Sequence, residues 1–410
     1  MRGRRSRTAA SRGGDADALR VLVLDHTGEL GGAELALVRL AGALGPEVSL
    51  RVLLFSDGPL VDRLREAGVA VQILPLDAET VAVGRSDVGS ASRGQIAALL
   101  RVLPFTWRLV RQVRALRPDV LHTTSLKADL LGVAPALATR TPLVWHVHDR
   151  IAEDYLPARV VGALRWASTR LPSAIVVNSQ ATAATLPGPT TVAYPGFVPE
   201  QVQGAGVRER RPPAKSPVVG MIGRISPTKG QLELVRAAPA VLARHRGTTF
   251  RIVGEPSFGG EDYAVAVRAE AEALGVADRF VWAGFTGRPE HELDGFSVCV
   301  HASPTPEPFG QVVVEAMVRG VPVVATRAGG VTEILAPAHE APGVVEDLGV
   351  LVAPGDVDAL AAAIVDVLDD PVAASERAER ARRDALFRFP VERTARVVTE
   401  VWRQVARPRR

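Results

Sequence analysis

The chain has 410 residues, 47% of them apolar, which is enough for two domains with separate cores. Its formal charge of +4 is carried by the ends, where Arg2, Arg4, Arg5, Arg7, Arg12, Arg407, Arg409 and Arg410 have no acid among them, so residues 13 to 406 carry −4. The folded body thus has no bias toward nucleic acid, the single cysteine excludes an intramolecular disulfide, and no apolar run reaches the roughly 18 residues a membrane span needs.

Residues 1–19 read as a disordered basic tail, and "VLVLD" after them offers too few apolar residues for a signal-peptide core. From Arg20 strands and helices alternate. "RVLVLD" is a first strand, "GELGGAE" a glycine-rich turn, "LALVRLAGAL" a helix and "VSLRVLLF" a second strand. "FTWRLVRQVRALR" (Phe105 to Arg117) then places Arg108, Arg111, Arg114 and Arg117 at helical spacing beside Trp107, Leu109, Val110, Val113 and Leu116. Such a helix can cover a core with its charges in solvent, or lie on an anionic membrane surface. Three further strands, "DVLHT", "PLVWHVHD" and "AIVVNS", each end in polar residues.

"VAYPGFVPEQVQGAGVRERRPPAKSP" breaks this pattern with proline, glycine and charge. After it come "VVGMIG", "FRIVG", "FVWAG", "VCVHAS", "VPVVAT" and "GVLVA", a second alternation. The expected organisation is an α/β Rossmann-like domain over 20–197, a linker over 198–215, a second Rossmann-like domain over 216–386 and a C-terminal helix over 387–406. Two doubly wound domains facing across a cleft would aim the carboxyl ends of their strands at one ligand. The motifs "GELGGAE", "HVHD", "GRISPTKG", "EPFGQVVVE" and "RAGGVTE" all follow strands directly.

"EPFGQVVVE" carries two acids eight residues apart. A helix from Phe309 to Val318 would set Glu307 just before its start and Glu315 two turns inside, on the order of 10 Å away. Between them lie first-turn NH groups without intrahelical partners, where the peptide dipoles favour an anion. Glu315 four residues before Arg319 also fits an ordinary ion pair along the helix. "GRISPTKG" supplies Arg224 and Lys229, two cations suited to a diphosphate, and Lys229 is one of only three lysines in an arginine-rich chain. In "WHVHD", His146 and His148 share a strand face. A zinc site would need more ligands, to which His26 and His122 at other strand ends could contribute, so a hydrogen-bonding role for His148 is preferred. Asp356 in "PGDVDAL" reads as a helix N-cap rather than a metal ligand.

With these residues assembled, the sequence resembles the family 4 glycosyltransferases of the GT-B fold from Arg20 to Val405, most specifically between Gly220 and Glu333. The resemblance implies that Glu307 holds hydroxyls of the donor sugar and Glu315 the nucleotide ribose. Arg224 and Lys229 would grip the diphosphate, helped by NH groups over Phe309, Gly310, Gln311 and Val312 and approached by Gly32. It further implies that His148 lies near the reacting sugar and that "RFPVERTARVVTEVWRQV" crosses back onto the N-terminal domain. The activity implied is transfer of a sugar from a nucleoside diphosphate sugar to a hydroxyl acceptor with retention of configuration, without metal or other cofactor. "HTTSLKADLLG", with His122 and Lys127, is the candidate acceptor patch. A nucleotide-sugar epimerase, a phosphorylase or a noncatalytic nucleotide-sugar-binding protein would share much of this pattern. A cytoplasmic enzyme, peripheral to the membrane's inner face if the basic helix docks there, is the expected setting.

Overall fold

The computed structural model describes residues 18–76, 93–204, 216–257, 259–337 and 347–406. Two all-parallel sheets organise the chain. The first contains β1 (Leu19–Asp25), β2 (Val48–Leu54), β3 (Ala70–Ile73), β4 (Val120–Thr123), β5 (Leu143–Val147), β6 (Ala174–Val177) and β7 (Thr191–Val192), in the order 3-2-1-4-5-6-7. The second contains β8 (Val218–Ile222), β9 (Thr249–Val253), β10 (Phe280–Gly284), β11 (Val298–His301), β12 (Val323–Thr326) and β13 (Val350–Val352), in the order 10-9-8-11-12-13. Each order reverses once, between β1 and β4 and between β8 and β11. Beyond the carboxyl ends of the strands at such a reversal, open α/β sheets hold their ligands.

Alternation along β1 explains how one strand serves two cores. Leu22 and Leu24 face the helices Arg93–Leu116, Leu126–Leu131, Val133–Thr139 and Ala158–Ser168, with Phe105, Leu109 and Val113 packed against them. Val21 and Val23 face the opposite way, toward the helices Gly32–Gly42 and Pro59–Glu66 and the last helix, Val391–Val405. That last helix comes from the far end of the chain and fills the layer with Val398 and the fully buried Trp402. It starts where Pro390 ends the helix Pro371–Arg388, and the chain crosses there in register with the segment joining the two sheets. Phe197 NH donates to Phe389 O at 3.0 Å, and Val391 NH donates to Phe197 O at 3.0 Å.

Three details differ from the sequence reading. The strands β3 and β7 were not expected; both lie at the edge of the first sheet and are short. The segment expected to link the domains begins with a helix, Pro199–Val202, which places Gln201 in the cleft. The helix of "EPFGQVVVE" begins at Gln311 rather than Phe309, because Gly310 adopts φ 110°, a left-handed conformation that a helix cannot include.

Candidate active site

The loop after β8 carries Arg224 and Lys229 and is fixed from two sides. Gln231, fully buried at the start of the helix Gln231–Arg244, donates through Nε2 to Arg224 O at 2.9 Å and accepts from Ser226 NH at 3.4 Å. Ser303, just past β11, donates to Thr228 O at 2.5 Å. The loop rejoins the helix at Gly230, with φ 89°, where a β-carbon would stand 2.0 Å from Ala302 O. These contacts point Lys229 at the neighbouring loop, where its Nζ meets Glu307 Oε1 at 2.5 Å.

Glu307 is held by its own backbone. Gly330 NH donates to Glu307 O at 2.9 Å, and Gly329 sits so close at φ 60° that a β-carbon there would come within 2.0 Å of the same oxygen. The paired glycines of "RAGGVTE" therefore set where this acid stands. Burial alone would raise the Glu307 carboxyl, but the Lys229 ammonium, with the Arg224 guanidinium behind it, holds it below the usual carboxylate value. His301 Nε2 lies 3.8 Å from Glu307 Oε1, and burial holds the imidazole below its ordinary pKa, so an ionised acid faces a neutral ring. The helix Gln311–Val318 begins beside this group with Gly310 as its N-cap. An ammonium, a guanidinium and free amide groups thus converge beside one carboxylate, a constellation matched to a phosphate bearing a hydroxylated group.

On the other sheet, β1 ends in Asp25, whose Oδ2 accepts from Thr124 Oγ1 at 2.6 Å. Glu34, in the first turn of the helix Gly32–Gly42, is buried, and burial together with the nearby Asp25 lifts its carboxyl to about 7. His148 follows β5 directly and stacks on His146 at 4.1 Å between ring centroids. His146 meets His122 edge-on at 5.3 Å, and Trp402 Nε1 donates to His122 Nδ1 at 3.1 Å. A row of rings therefore runs from the last helix to the cleft. Burial drives all three imidazoles downward, His122 to about 3 and His148 to about 4.

The two halves touch across the cleft through residues that sequence patterns did not link. Arg39 Nη2 pairs with Glu315 Oε1 at 2.5 Å, and Arg39 Nη1 donates to Gln311 Oε1 at 3.2 Å. Gln311 Nε2 in turn donates to Gly32 O at 2.6 Å, so the expected closeness of Gly32 to the helix start is made by a side chain. Gln201 Nε2 adds a bond to Glu315 Oε1 at 3.2 Å. Deeper in, Ser179 Oγ donates to Pro308 O at 2.5 Å, and Glu333 accepts from the NH groups of Gln180 and Ala181 at 3.0 Å each.

The side chains of several other expected residues are turned to the core or to helix capping. His122 is fully buried and engaged by Trp402, so it cannot touch an acceptor. Lys127 is half-buried in the first turn of the helix Leu126–Leu131, four residues beyond the end of β4. The ring of Phe309 is core, packed between Tyr194 and Phe389, leaving only its backbone near the helix start. Val312 is half-buried in the first turn. The ion pair along the helix between Glu315 and Arg319 does not form; Arg319 turns to Asp294 and to the carbonyls of Gln201 and Gln203. Asp356 caps its helix, accepting from Ala359 NH at 2.9 Å. His301, Arg39 and Glu34 were missed. His301 had a signal, a histidine ending an apolar strand, whereas Arg39 and Glu34 looked like ordinary helix residues.

Residues 207–385 match the family model for Glycosyl transferases group 1, and residues 30–197 match that for Glycosyltransferase Family 4. The chain is 31% identical over 309 residues to the glycogen synthase of Mycobacterium tuberculosis, covering 70% of this chain and 69% of that protein. It is 33% identical over 200 residues to a GDP-mannose-dependent phosphatidylinositol monomannoside mannosyltransferase of Mycolicibacterium smegmatis, covering 46% and 48%. Among solved structures, Anabaena Alr3699/HepE in complex with UDP-glucose superposes with a TM-score of 0.77 at 27% identity, covering 94% of this chain and all of that one.

Proposed function

The chain belongs to the group 1 glycosyltransferases with a family 4 N-terminal half, and on that premise we propose that it moves a sugar from a nucleoside diphosphate donor to a hydroxyl acceptor with retention of configuration. The observation that carries the reading is the meeting of Lys229, Arg224 and Glu307 at the start of the helix Gln311–Val318, with Gly32 facing it across the cleft. The diphosphate lies against Lys229, Arg224 and the first amides of that helix. Glu307 accepts from hydroxyls of the donor sugar. Glu315 reads the ribose through Oε2, since both of its described bonds fall on Oε1. The bond from the anomeric carbon to the diphosphate breaks as the acceptor oxygen bonds to that carbon, negative charge builds on the departing phosphate, and the acceptor's hydroxyl proton passes to that phosphate oxygen. Positioning the two reactants and stabilising that charge supply the catalysis. His148, kept neutral by burial, hydrogen-bonds the sugar rather than repelling or attracting charge.

UDP-glucose, bound by the Anabaena neighbour, and GDP-mannose, used by the mycobacterial relative, are the first donors to try, with cell extract as acceptor and mass spectrometry of the products. Lys229→Ala is expected to lower turnover at saturating donor by about a hundredfold or more, the usual scale for losing one group that stabilises developing charge. Unchanged turnover would remove Lys229 from the chemistry. The anomeric configuration of the product, read by NMR, tests retention.

A further inference from the structure

Three crossover connections lay helices side by side over one face of the first sheet. Arg93–Leu116 leads into β4, the pair Leu126–Leu131 and Val133–Thr139 into β5, and Ala158–Ser168 into β6. All five large apolar side chains of the first domain that are exposed among the described residues project from this layer: Leu103, Trp107, Leu130, Leu137 and Trp166. Trp107 is 60% exposed and Leu137 70%, far beyond what packing within the chain explains. The layer on the opposite face, formed by Gly32–Gly42, Pro59–Glu66 and Val391–Val405, exposes no such side chain among the described residues.

Charge follows the same division. Over residues 103–117, 126–140 and 158–170 the exposed ionised side chains are all arginines: 108, 111, 114, 117, 140, 159 and 170. The one acid in those segments, Asp129, is fully buried, and burial pushes its carboxyl well up. Among the described residues, the exposed acids Glu153 and Asp154 lie in the loop beyond β5, and Asp154 pairs with Arg150. The opposite layer mixes signs, with Asp62, Glu66, Glu392 and Glu400 exposed among its arginines. Each exposed tryptophan also carries an arginine on its ring, Arg111 at 4.6 Å from Trp107 and Arg170 at 5.0 Å from Trp166. An indole at headgroup depth beside a guanidinium that reaches phosphate is how a protein settles into a bilayer interface.

We propose that this helical layer is a docking surface for an anionic lipid bilayer, on which the protein sits peripherally. No helix among the described residues is long and apolar enough to cross a membrane. Charge by itself would suit any polyanion, but five exposed leucines and tryptophans on the same face favour a partner with an apolar interior. The docking holds whatever reaction the cleft performs.

The test is sedimentation of the full-length protein with vesicles of phosphatidylglycerol and phosphatidylcholine, against phosphatidylcholine alone, combined with quenching of tryptophan fluorescence by brominated lipid. The expected result is binding to the anionic vesicles that weakens with salt, with quenching that falls in Trp107→Phe and Trp166→Phe. The triple variant Arg108→Glu, Arg111→Glu, Arg114→Glu should reduce partitioning by about tenfold or more, since each cation held within a Debye length of an anionic surface adds to the attraction and each reversal turns it to repulsion. Arg63→Glu with Arg65→Glu, on the opposite layer, should leave partitioning unchanged, and circular dichroism of each variant confirms folding. Binding without quenching of Trp107 and Trp166 would mean that the arginine-rich chain ends hold the vesicle, and would overturn the proposal. So would no binding, equal binding by the triple variant, or capture by heparin or single-stranded RNA with none by vesicles.

Discussion

Substituting His122 by asparagine turns the ring stack into a measurement. In the folded chain His122 is fully buried, accepts from Trp402, and is driven to about 3, by burial first and then by His148. In the unfolded chain it titrates at its ordinary value of 6.5. As pH falls, the unfolded state takes up a proton that the folded state refuses, so stability is complete above that value and is lost downward through the window to about 3. Between pH 8 and pH 5 the loss is fixed by the unfolded value alone, because the folded one lies below both, and it comes to about 2 kcal/mol for this single group. An asparagine carbonyl can accept from Trp402 and does not titrate. Urea unfolding of wild type and His122→Asn at both pH values, followed by the fluorescence of Trp145 and Trp402, gives four free energies, in whose double difference all other titrating groups cancel. Wild type should lose about 2 kcal/mol more than the variant on acidification. Equal losses would show that the site admits a proton, and the neutral stack would have to be abandoned.

Gly329→Ala places a β-carbon where Glu307 O stands 2.0 Å away, at a φ of 60° that disfavours side chains. It should cost on the order of 1–3 kcal/mol in urea unfolding and weaken UDP binding by calorimetry, because Glu307 and Lys229 shift together. Arg39→Ala leaves the buried Glu315 carboxylate with Gln201 alone. A loss on the order of 1–3 kcal/mol is expected, and adding Glu315→Gln should recover part of it, since a buried amide needs no counter-ion. A double variant no more stable than Arg39→Ala would show that the pair carries no uncompensated charge.

Eleven strands were legible because each is a short apolar run closed by polar residues. β3, "AVQI", has a half-exposed pattern without that contrast, and β7 has two residues at the start of a segment rich in turn formers. The donor half of the candidate site was legible for a related reason. Arg224, Lys229 and Glu307 follow strands directly, and the sheet order then brings them together whatever lies between. Arg39 carries no such mark. Its partner Glu315 is 276 positions away, and only the packing of two separately folded sheets puts them in contact. His122 shows the reverse error, since its strand-end position suggested the cleft while its side chain points beneath the last helix.

The contacts that hold the halves together divide by what they are made of. Around the crossover, Phe197 pairs with Phe389 and Val391, Glu333 takes two backbone amides and the Tyr194 hydroxyl at 2.8 Å, and Ser179 binds a carbonyl. None of these uses a side chain proposed to touch the donor. Toward the mouth, Gln311, Glu315 and the Gly32 carbonyl make the bonds, and all three belong to the proposed donor site. On the proposed placement the ribose takes Glu315 Oε2 and the phosphates take first-turn amides, so the bonds from Arg39 and Gln201 to Oε1 can persist beside a bound donor. No group that holds the crossover together is one the donor is proposed to take, so a donor can occupy the mouth with the contacts behind it intact.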